Sequence, residues 1–223
     1  MKIIRKIKEK LLIESFIKDF KKLAKKKEQL KKRFSFVLTG GKSPKKLYKK
    51  LSKEKINWKN IDFFWGDERF VSKKSRSSNY RLANETIFKL IKIKKKQIYS
   101  VNTKKPSVIY ASKNYSYKIK KYFKNKKISF DLVLLGMGND GHIASIFPND
   151  LEKDSKKITR HINRKDFKRI TINLKIINNS KNIYLWLNSK KKSKIFKKLS
   201  KNKKKEIPVN LLNRKKTSVF SIL

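Results

Sequence analysis

The 223-residue chain is long enough for one domain with a substantial core, and 38% of its residues are hydrophobic. The absence of cysteine excludes disulfides and thiolate metal sites, two histidines are too few for a dedicated zinc cage, and no apolar run approaches the ~20 residues that span a bilayer. The formal net charge of +48 predicts weak, salt-sensitive attraction to polyanions whatever the function of the chain. We expect a single cytoplasmic domain over residues 1–223, with no metal, signal peptide or membrane contact.

Hydrophobic periodicity predicts alternating helices and strands in the first half of the chain. The predicted elements are a helix over 7–32, a strand at Phe34–Leu38, a helix from Ser43 to about Leu51, a strand at Ile61–Trp65 and a helix over 79–91. Ser43 is the predicted N-cap of the second helix, and Pro44 occupies its first turn.

The second half continues the alternation. The predicted elements are a helix over 111–125, a strand at Phe130–Leu135, a short helical turn near Gly141, strands at Ile170–Leu174 and Asn182–Leu187, a helix over 189–200 and a strand near Ser218–Leu223. The run at Phe130–Leu135 is the most apolar, as a strand buried on both faces should be. This order predicts an α/β, Rossmann-like fold, with a mostly parallel sheet flanked by helices and a small subdomain.

All six glycines lie in three short segments, at 39–44, 65–69 and 136–142. Each segment follows a predicted strand and carries polar side chains. Ligands of parallel α/β sheets bind outside the carboxyl ends of the strands. We therefore expect the three loops to converge on one site, although they are about a hundred residues apart.

The first loop has the features of an anion cradle. Gly40 and Gly41 let backbone N–H groups face a ligand, Lys42 and Ser43 supply further donors, and a helix follows. The spacing fits neither a Walker A loop nor Gly-x-Gly-x-x-Gly. A plain tight turn between strand and helix is the alternative.

The second loop places Asp67, Glu68 and Arg69 at the end of a strand. An arginine there is able to grip phosphate or carboxylate through two donors. A surface ion pair is the alternative and is commoner for an isolated Asp-Glu-Arg. The position after a strand with a buried pattern raises the odds of a functional role.

The third loop is the most specific, because His142 directly follows Asp140 and Gly141 at the end of the most apolar strand. Histidine titrates near neutral pH and serves as a general base, which Asp140 could orient. A structural histidine is the alternative. His161 lies in a basic stretch without glycines, and we interpret it as a surface or structural residue.

The net charge of +48 has two interpretations, nucleic-acid binding and compositional drift. Lysine outnumbers arginine 55 to 9, the lysines extend from end to end, and lysine, isoleucine and asparagine all have AT-rich codons. These observations favour compositional drift over a dedicated nucleic-acid reader, which often exploits the bidentate arginine. We expect non-specific adhesion to polyanions such as RNA, without a specific nucleic-acid partner. A degenerate, basic RNA-associated protein stays an alternative.

An ordered set of motifs covers most of the chain. The motifs are Leu38-Thr39-Gly40-Gly41-Lys42-Ser43-Pro44, Trp58, Asp67-Glu68-Arg69-Phe70-Val71, Ser78-Asn79, the run from Phe130 to Pro148, Arg169-Ile170-Thr171 and Lys192. Together they resemble the 6-phosphogluconolactonase family, which hydrolyses 6-phospho-D-glucono-1,5-lactone in the pentose phosphate pathway. The resemblance implies a sugar-phosphate lactone as substrate, no metal and no cofactor. Monomer and homodimer are both open.

The resemblance also implies roles for individual residues. His142 is the base that activates water, and Asp140 tunes it. Asp67 and Arg69 lie at the substrate, where Arg69 grips it or offsets the charge of the oxyanion. The residues implied to bind the phosphate or the sugar are Gly40, Gly41, Lys42, Ser43, Asn79, Gly138, Arg169 and Lys192. Lys42 replaces a small residue of the family, and Ser189 replaces the glycine that precedes its late lysine.

Glucosamine-6-phosphate deaminases share this fold and the Asp-Gly-His loop, and they are the alternative enzyme class. They carry Asp-Glu-Tyr where this chain has Asp67-Glu68-Arg69, and an Ala-Phe-Asn-Glu-Pro run whose glutamate takes part in opening the sugar ring. Phe147 stands at the position of that acid. Phenylalanine is unable to transfer protons, so the resemblance favours the lactonase.

Overall fold

The structure is a computed structural model that describes residues 1–148, 150, 156–202, 204 and 206–223. Its strands are β1 (Lys2–Lys6), β2 (Phe34–Leu38), β3 (Ile61–Trp65), β4 (Asp67–Arg69), β5 (Leu132–Leu135), β6 (Thr159–Asn163), β7 (Lys168–Ile172), β8 (Ile183–Leu187) and β9 (Thr217–Ile222). Its helices are α1 (Glu9–Gln29), α2 (Lys45–Leu51), α3 (Asn79–Thr86), α4 (Val108–Tyr122), α5 (Leu174–Asn179) and α6 (Lys190–Lys201). The predicted α/β class is confirmed.

The main sheet is parallel, with strand order β1-β9-β8-β5-β2-β3. The chain adds β3 on one side of β2, and later strands on the other side, beginning with β5. The loops that follow β2 and β5 therefore lie side by side at the point where the strand order reverses. This is the place where open α/β sheets bind ligands. The Gly136 N–H donates to the Thr39 hydroxyl at 3.1 Å and joins the two loops.

Helices cover both faces of this sheet. On β2, Phe34, Phe36 and Leu38 belong to one buried cluster with α1, α2 and α3, while Val37 belongs to a second cluster with α4, α5 and α6. Side chains alternate across a strand, so a strand whose residues are all buried, as those of β2 are, lies between two layers. The main sheet is thus the middle layer of three, which fixes its loops rigidly at the carboxyl edge.

A second, small sheet has the antiparallel order β4-β7-β6. Its first strand begins at Asp67, and Gly66 alone separates that strand from β3. The Gly66 N–H donates to the Leu38 carbonyl, and the Gly66 carbonyl accepts from the Ile172 N–H. The predicted small subdomain corresponds to this sheet. It brings Arg69 and Arg169 directly opposite each other, because they are register partners on β4 and β7.

Strands β2 and β3 have the predicted bounds, whereas other elements differ from prediction. The helix predicted over 7–32 begins at Glu9, because Lys2–Lys6 is an edge strand, and the one predicted over 111–125 begins at Val108, behind the N-cap Ser107. The helix predicted over 79–91 ends at Thr86, and a 3₁₀ turn follows it. The strand predicted at Ile170–Leu174 ends at Ile172 and belongs to the small sheet.

Two local predictions were wrong. Ser43 is not a helix cap: Pro44 is the N-cap residue of α2, and the Ser43 hydroxyl instead accepts from Lys192. No helical turn begins at Gly141, which has φ +86° and lies in a loop closed by bridges between Met137, Ile143 and Ile146. A left-handed residue there turns the chain back on itself and prevents a helix from starting.

Candidate functional site

An open cleft of ≈ 210 Å³ lies at the carboxyl edge of β2, β3 and β5, where the three glycine loops meet. Its lining residues are Thr39, Gly40, Gly41, Lys42, Ser43, Asp67, Arg69, Asn79, Gly136, Met137, Gly138, His142, Ala144, Arg169 and Lys192. Every site residue predicted from the sequence lines this cleft except Asp140, which contacts His142 from behind. The expected convergence of the loops is thus present.

His142 and Asp140 form a close pair. The His142 Nδ1 lies 2.6 Å from Oδ1 of Asp140, and the His142 backbone N–H donates to the same oxygen at 3.1 Å. Burial raises the pKa of Asp140, but hydrogen bonds and positive charge from His142 outweigh it and hold that pKa below its usual value. An ionised carboxylate only accepts, so Nδ1 carries a proton, and in the neutral imidazole Nε2 keeps its lone pair. Nε2 has no hydrogen-bond partner in the described part of the chain, and the imidazole lines the cleft.

Gly138 makes room for the imidazole. A Cβ at this position would lie 2.1 Å from both Cε1 and Nδ1 of His142 and 2.7 Å from Oδ1 of Asp140. The Gly138 N–H donates to the His142 carbonyl at 2.9 Å. The missing side chain therefore sets how closely the loop packs around the His142–Asp140 pair.

The other neighbour of the imidazole is apolar. The ring centroid of buried Phe147 lies 4.5 Å from that of His142, and the Arg164 guanidinium lies 4.2 Å from the Phe147 centroid. Phe147 is the residue that the sequence places where the deaminases carry an acid. Asp140 is therefore the carboxylate that contacts the imidazole among the described residues.

Asp67 is held from two sides. Its Oδ2 accepts from the Ser145 hydroxyl at 2.7 Å, and its Oδ1 accepts from Nδ2 of Asn79 at 3.3 Å. The Asn79 amide in turn lies over Gly40, where a Cβ would come within 1.9 Å of Oδ1 of Asn79. Asp67 is 7% exposed, so its carboxylate is fixed at the wall of the cleft.

Arg69 and Arg169 present two guanidinium groups to the cleft from opposite strands. Each lies over the Phe167 ring, at 5.7 and 5.8 Å. Arg69 donates to the Ser77 carbonyl at 2.9 Å, and Arg169 pairs with Asp166. Both Nε atoms are buried without a hydrogen-bond partner among the described residues. Like charges directly opposite in an antiparallel pair repel each other, so this pair favours an anion.

The first glycine loop lies across the cleft. Gly41 has φ +79°, which an L-residue rarely adopts. The backbone N–H groups from Gly40 to Ser43 donate to no acceptor within the ranges that the structure describes. Nζ of Lys192 donates to Oγ of Ser43 at 3.0 Å, and burial lowers the pKa of Lys192. This side of the cleft therefore offers free amide donors, a hydroxyl and an ammonium group.

Two residues that contact the site, Ser145 and Glu68, were not among the site residues predicted from the sequence. Ser145 holds Asp67, although nothing in its neighbourhood signals this. Glu68 is 2% exposed, and burial raises its pKa to about 7. The charge of Asp67 raises this pKa further, while three backbone hydrogen bonds lower it. The alternation of side chains along Asp-Glu-Arg could have shown that Glu68 faces away from the cleft. His161 lies exposed on β6, as expected for a surface residue.

The described residues show neither a metal site nor a membrane-spanning helix. No group of three or more histidine, cysteine or carboxylate side chains there is arranged to hold a metal ion. Among the described helices, none is both long and apolar enough to cross a membrane.

Comparison with known proteins gives a consistent result. The model of a family described as glucosamine-6-phosphate isomerases/6-phosphogluconolactonase matches residues 7–221. A 6-phosphogluconolactonase of Thermotoga maritima is 35% identical over 190 residues, or 81% of this chain and 83% of that protein. A 6-phosphogluconolactonase of Haemophilus influenzae is 32% identical over 178 residues, or 77% of this chain and 75% of that protein. A crystal structure of the Thermotoga maritima 6-phosphogluconolactonase superposes with a TM-score of 0.87 at 27% identity, covering 99% of this chain and 98% of that one.

Proposed function

The chain belongs to the glucosamine-6-phosphate isomerase/6-phosphogluconolactonase family, and we propose that it hydrolyses 6-phospho-D-glucono-1,5-lactone to 6-phospho-D-gluconate. The observation that carries this proposal is the His142–Asp140 pair, with the imidazole lining the cleft, no partner for Nε2 among the described residues, and apolar Phe147 against the ring. That arrangement suits the activation of one water molecule. The described residues place against the imidazole no second acid of the kind that opening an aminosugar ring would use.

His142 acts as the general base. Asp140 accepts from Nδ1, so Nε2 takes a proton from a water molecule as the water oxygen attacks C1 of the lactone. The imidazolium that forms is stabilised by the carboxylate at 2.6 Å. General-base catalysis of this kind contributes ~10²–10⁴-fold to the rate. Phe147 keeps solvent from the neighbouring side of the ring.

The attack produces a tetrahedral intermediate with negative charge on the former carbonyl oxygen. Arg69 lines the cleft and offsets this charge. The intermediate collapses by breaking the bond between C1 and the ring oxygen, and the ring oxygen takes the proton from the imidazolium. The products are a carboxylic acid, which ionises in water, and a free hydroxyl at C5. The reaction consumes one water molecule and no redox equivalent.

The substrate phosphate binds among the cations and free amides. Arg169 approaches from the small sheet, while Lys192 and the loop from Gly40 to Ser43 approach from the main sheet. A phosphate dianion relieves the repulsion between the opposed arginines and accepts from backbone N–H groups that have no acceptor in the described chain. Asp67 and Asn79 contact the sugar hydroxyls, and Lys42 adds positive charge at the exposed rim.

The direct test compares two reactions on one preparation. Hydrolysis of freshly generated 6-phosphogluconolactone is followed by acid release above the spontaneous background, and release of ammonia from glucosamine 6-phosphate is measured in parallel. The proposal predicts acceleration of the first reaction only. Ammonia release without lactone hydrolysis would assign the chain to the deaminase branch.

Three further properties stay predictions. They are location in the cytoplasm, a single domain over 1–223, and a monomeric or homodimeric state.

A further inference from the structure

Glu68 is a buried carboxylate that the lactonase mechanism does not use. It lies between Asp67 and Arg69 on β4, and it faces α3 while those two residues line the cleft. Its Oε1 accepts from the backbone N–H groups of Asn79 at 2.8 Å and Arg69 at 2.9 Å. Its Oε2 accepts from the backbone N–H of Tyr80 at 2.8 Å. Both oxygens are therefore used to hold main-chain donors.

These contacts complete the N-terminus of α3. The first N–H groups of a helix have no partner within the helix. In α3, Glu68 accepts from the first two, and the N-cap Ser78 accepts from the third, at Arg81, at 3.2 Å. The positive end of a helix also favours a negative charge. A carboxylate from β4 thus fastens the start of α3 to the strand that carries Asp67 and Arg69.

The residue fastened most directly reaches into the cleft. The Asn79 backbone N–H is bound by Glu68, while its Nδ2 donates to the Asp67 carbonyl at 2.9 Å and to the Asp67 carboxylate at 3.3 Å. The same amide packs against Gly40 of the anion-binding loop. Movement of the helix start would displace Asn79, and with it two walls of the cleft.

We propose that Glu68 is a positioning residue for the lactonase reaction, whose ionised carboxylate holds the start of α3 and thereby fixes Asn79 and Asp67 against the substrate. This inference rests on the proposed function. A protonated carboxyl carries an O–H donor on one oxygen, and its oxygens accept hydrogen bonds less strongly than those of a carboxylate. The neutral form therefore holds the start of the helix less firmly than the ionised form.

Burial of Glu68, more than the charges around it, brings this change near neutral pH. Asp67 and Arg69 flank Glu68 on β4. Lys73 of the following loop and Tyr115 of α4 also interact with it electrostatically. Burial, with Asp67, raises the pKa of Glu68 to about 7. As the pH falls below 7, Glu68 takes up a proton and the hold on α3 weakens.

Glu68→Gln is the first test, because glutamine is nearly isosteric and imitates the protonated acid. We expect kcat of this variant to be about 10- to 100-fold below wild type at pH 8, since displacement of substrate contacts by about 1 Å costs ~10²-fold. The ratio of the two kcat values should approach one below pH 6. Glu85→Gln, an exposed charge removal on the same helix, is the matched control and should keep wild-type kcat. A Glu68→Gln variant within twofold of wild type at pH 8, or a ratio constant with pH, overturns the proposal.

Hydrogen exchange of wild-type backbone amides supplies a readout that needs neither activity nor a variant. Asn79 and Tyr80 amides should lose protection as the pH falls through 7, through local openings of the helix start that leave Glu68 buried, after correction for intrinsic exchange. Tyr110 is the control amide, because it donates to the neutral Ser107 hydroxyl at the start of α4. Parallel behaviour of all three amides contradicts the proposal, even if Glu68→Gln does not fold. Loss of protection without any lactonase activity would instead refute the proposed function.

Discussion

Gly138→Ala should move the imidazole without disturbing the fold. The new Cβ would lie 2.1 Å from Cε1 and Nδ1 of His142, whereas ordinary contacts begin at 3.4 Å, so the ring must retreat by about 1.3 Å. Nδ1 then leaves the hydrogen bond with Asp140, and Nε2 leaves its place in the cleft. Misplacement by 1 Å costs ~10²-fold, so we expect kcat to fall about 100-fold.

The backbone itself tolerates this change, because the positive-φ glycines of the described chain are Gly41 and Gly141, not Gly138. Thermal unfolding should therefore shift by only a few degrees. The matched control is Gly66→Ala, whose Cβ would meet the Leu38 carbonyl at an ordinary 3.6 Å, and it should keep kcat within about threefold. Both variants are assayed for lactone hydrolysis against the spontaneous background. A folded Gly138→Ala protein with more than half the wild-type kcat would refute the reasoning.

Three further results are expected. Asp140→Asn should lower kcat about 100-fold with little change in KM, because His142 loses the carboxylate that holds its tautomer; equal kcat at saturating lactone would contradict this. Lys192→Met should raise KM at least tenfold with a smaller effect on kcat, since a charged hydrogen bond to phosphate is worth about 1.5–3 kcal/mol, and a change confined to kcat would argue against phosphate binding. Glu68 has a folded pKa of about 7, above its usual 4.5, so native protein keeps a proton that unfolded protein releases. Burial disfavours the ionised carboxylate by more than its three backbone hydrogen bonds favour it. Wild type should therefore lose roughly 3 kcal/mol of unfolding free energy relative to Glu68→Gln as the pH rises from about 4.5 to 8, even though those bonds order the start of α3. Urea unfolding curves whose difference does not vary with pH would exclude this.

The fold and the place of the site were accessible from the sequence because they depend on strong local signals. An apolar run such as Phe130–Leu135 fits only a strand covered on both faces, and glycines directly after such strands mark loops at the carboxyl edge. The edge strand Lys2–Lys6 gave no comparable signal, because three of its five residues are charged and none is fully buried. Strand β4 was missed because it has only three residues.

Contacts of the residues that follow the third glycine loop could not be predicted, because they depend on backbone geometry that leaves no pattern in the sequence. Ala144 has φ +49°, a conformation typical of glycine rather than alanine, and it turns Ser145 towards Asp67. The same turn brings Phe147 against His142. The role of Glu68 was missed for a related reason, since its partners are main-chain N–H groups of α3 rather than side chains with a recognisable pattern.

Hydrolysis of 6-phosphogluconolactone by wild type and by His142→Ala, measured in parallel as acid release above background, tests the central claim most directly. The account predicts that wild type accelerates the reaction and that the variant, folded and still able to bind inorganic phosphate, loses ~10²–10⁴-fold of that acceleration. Equal acceleration by both proteins would contradict the assignment of His142 as the base. A folded wild type that gives no acceleration would contradict the lactonase function itself.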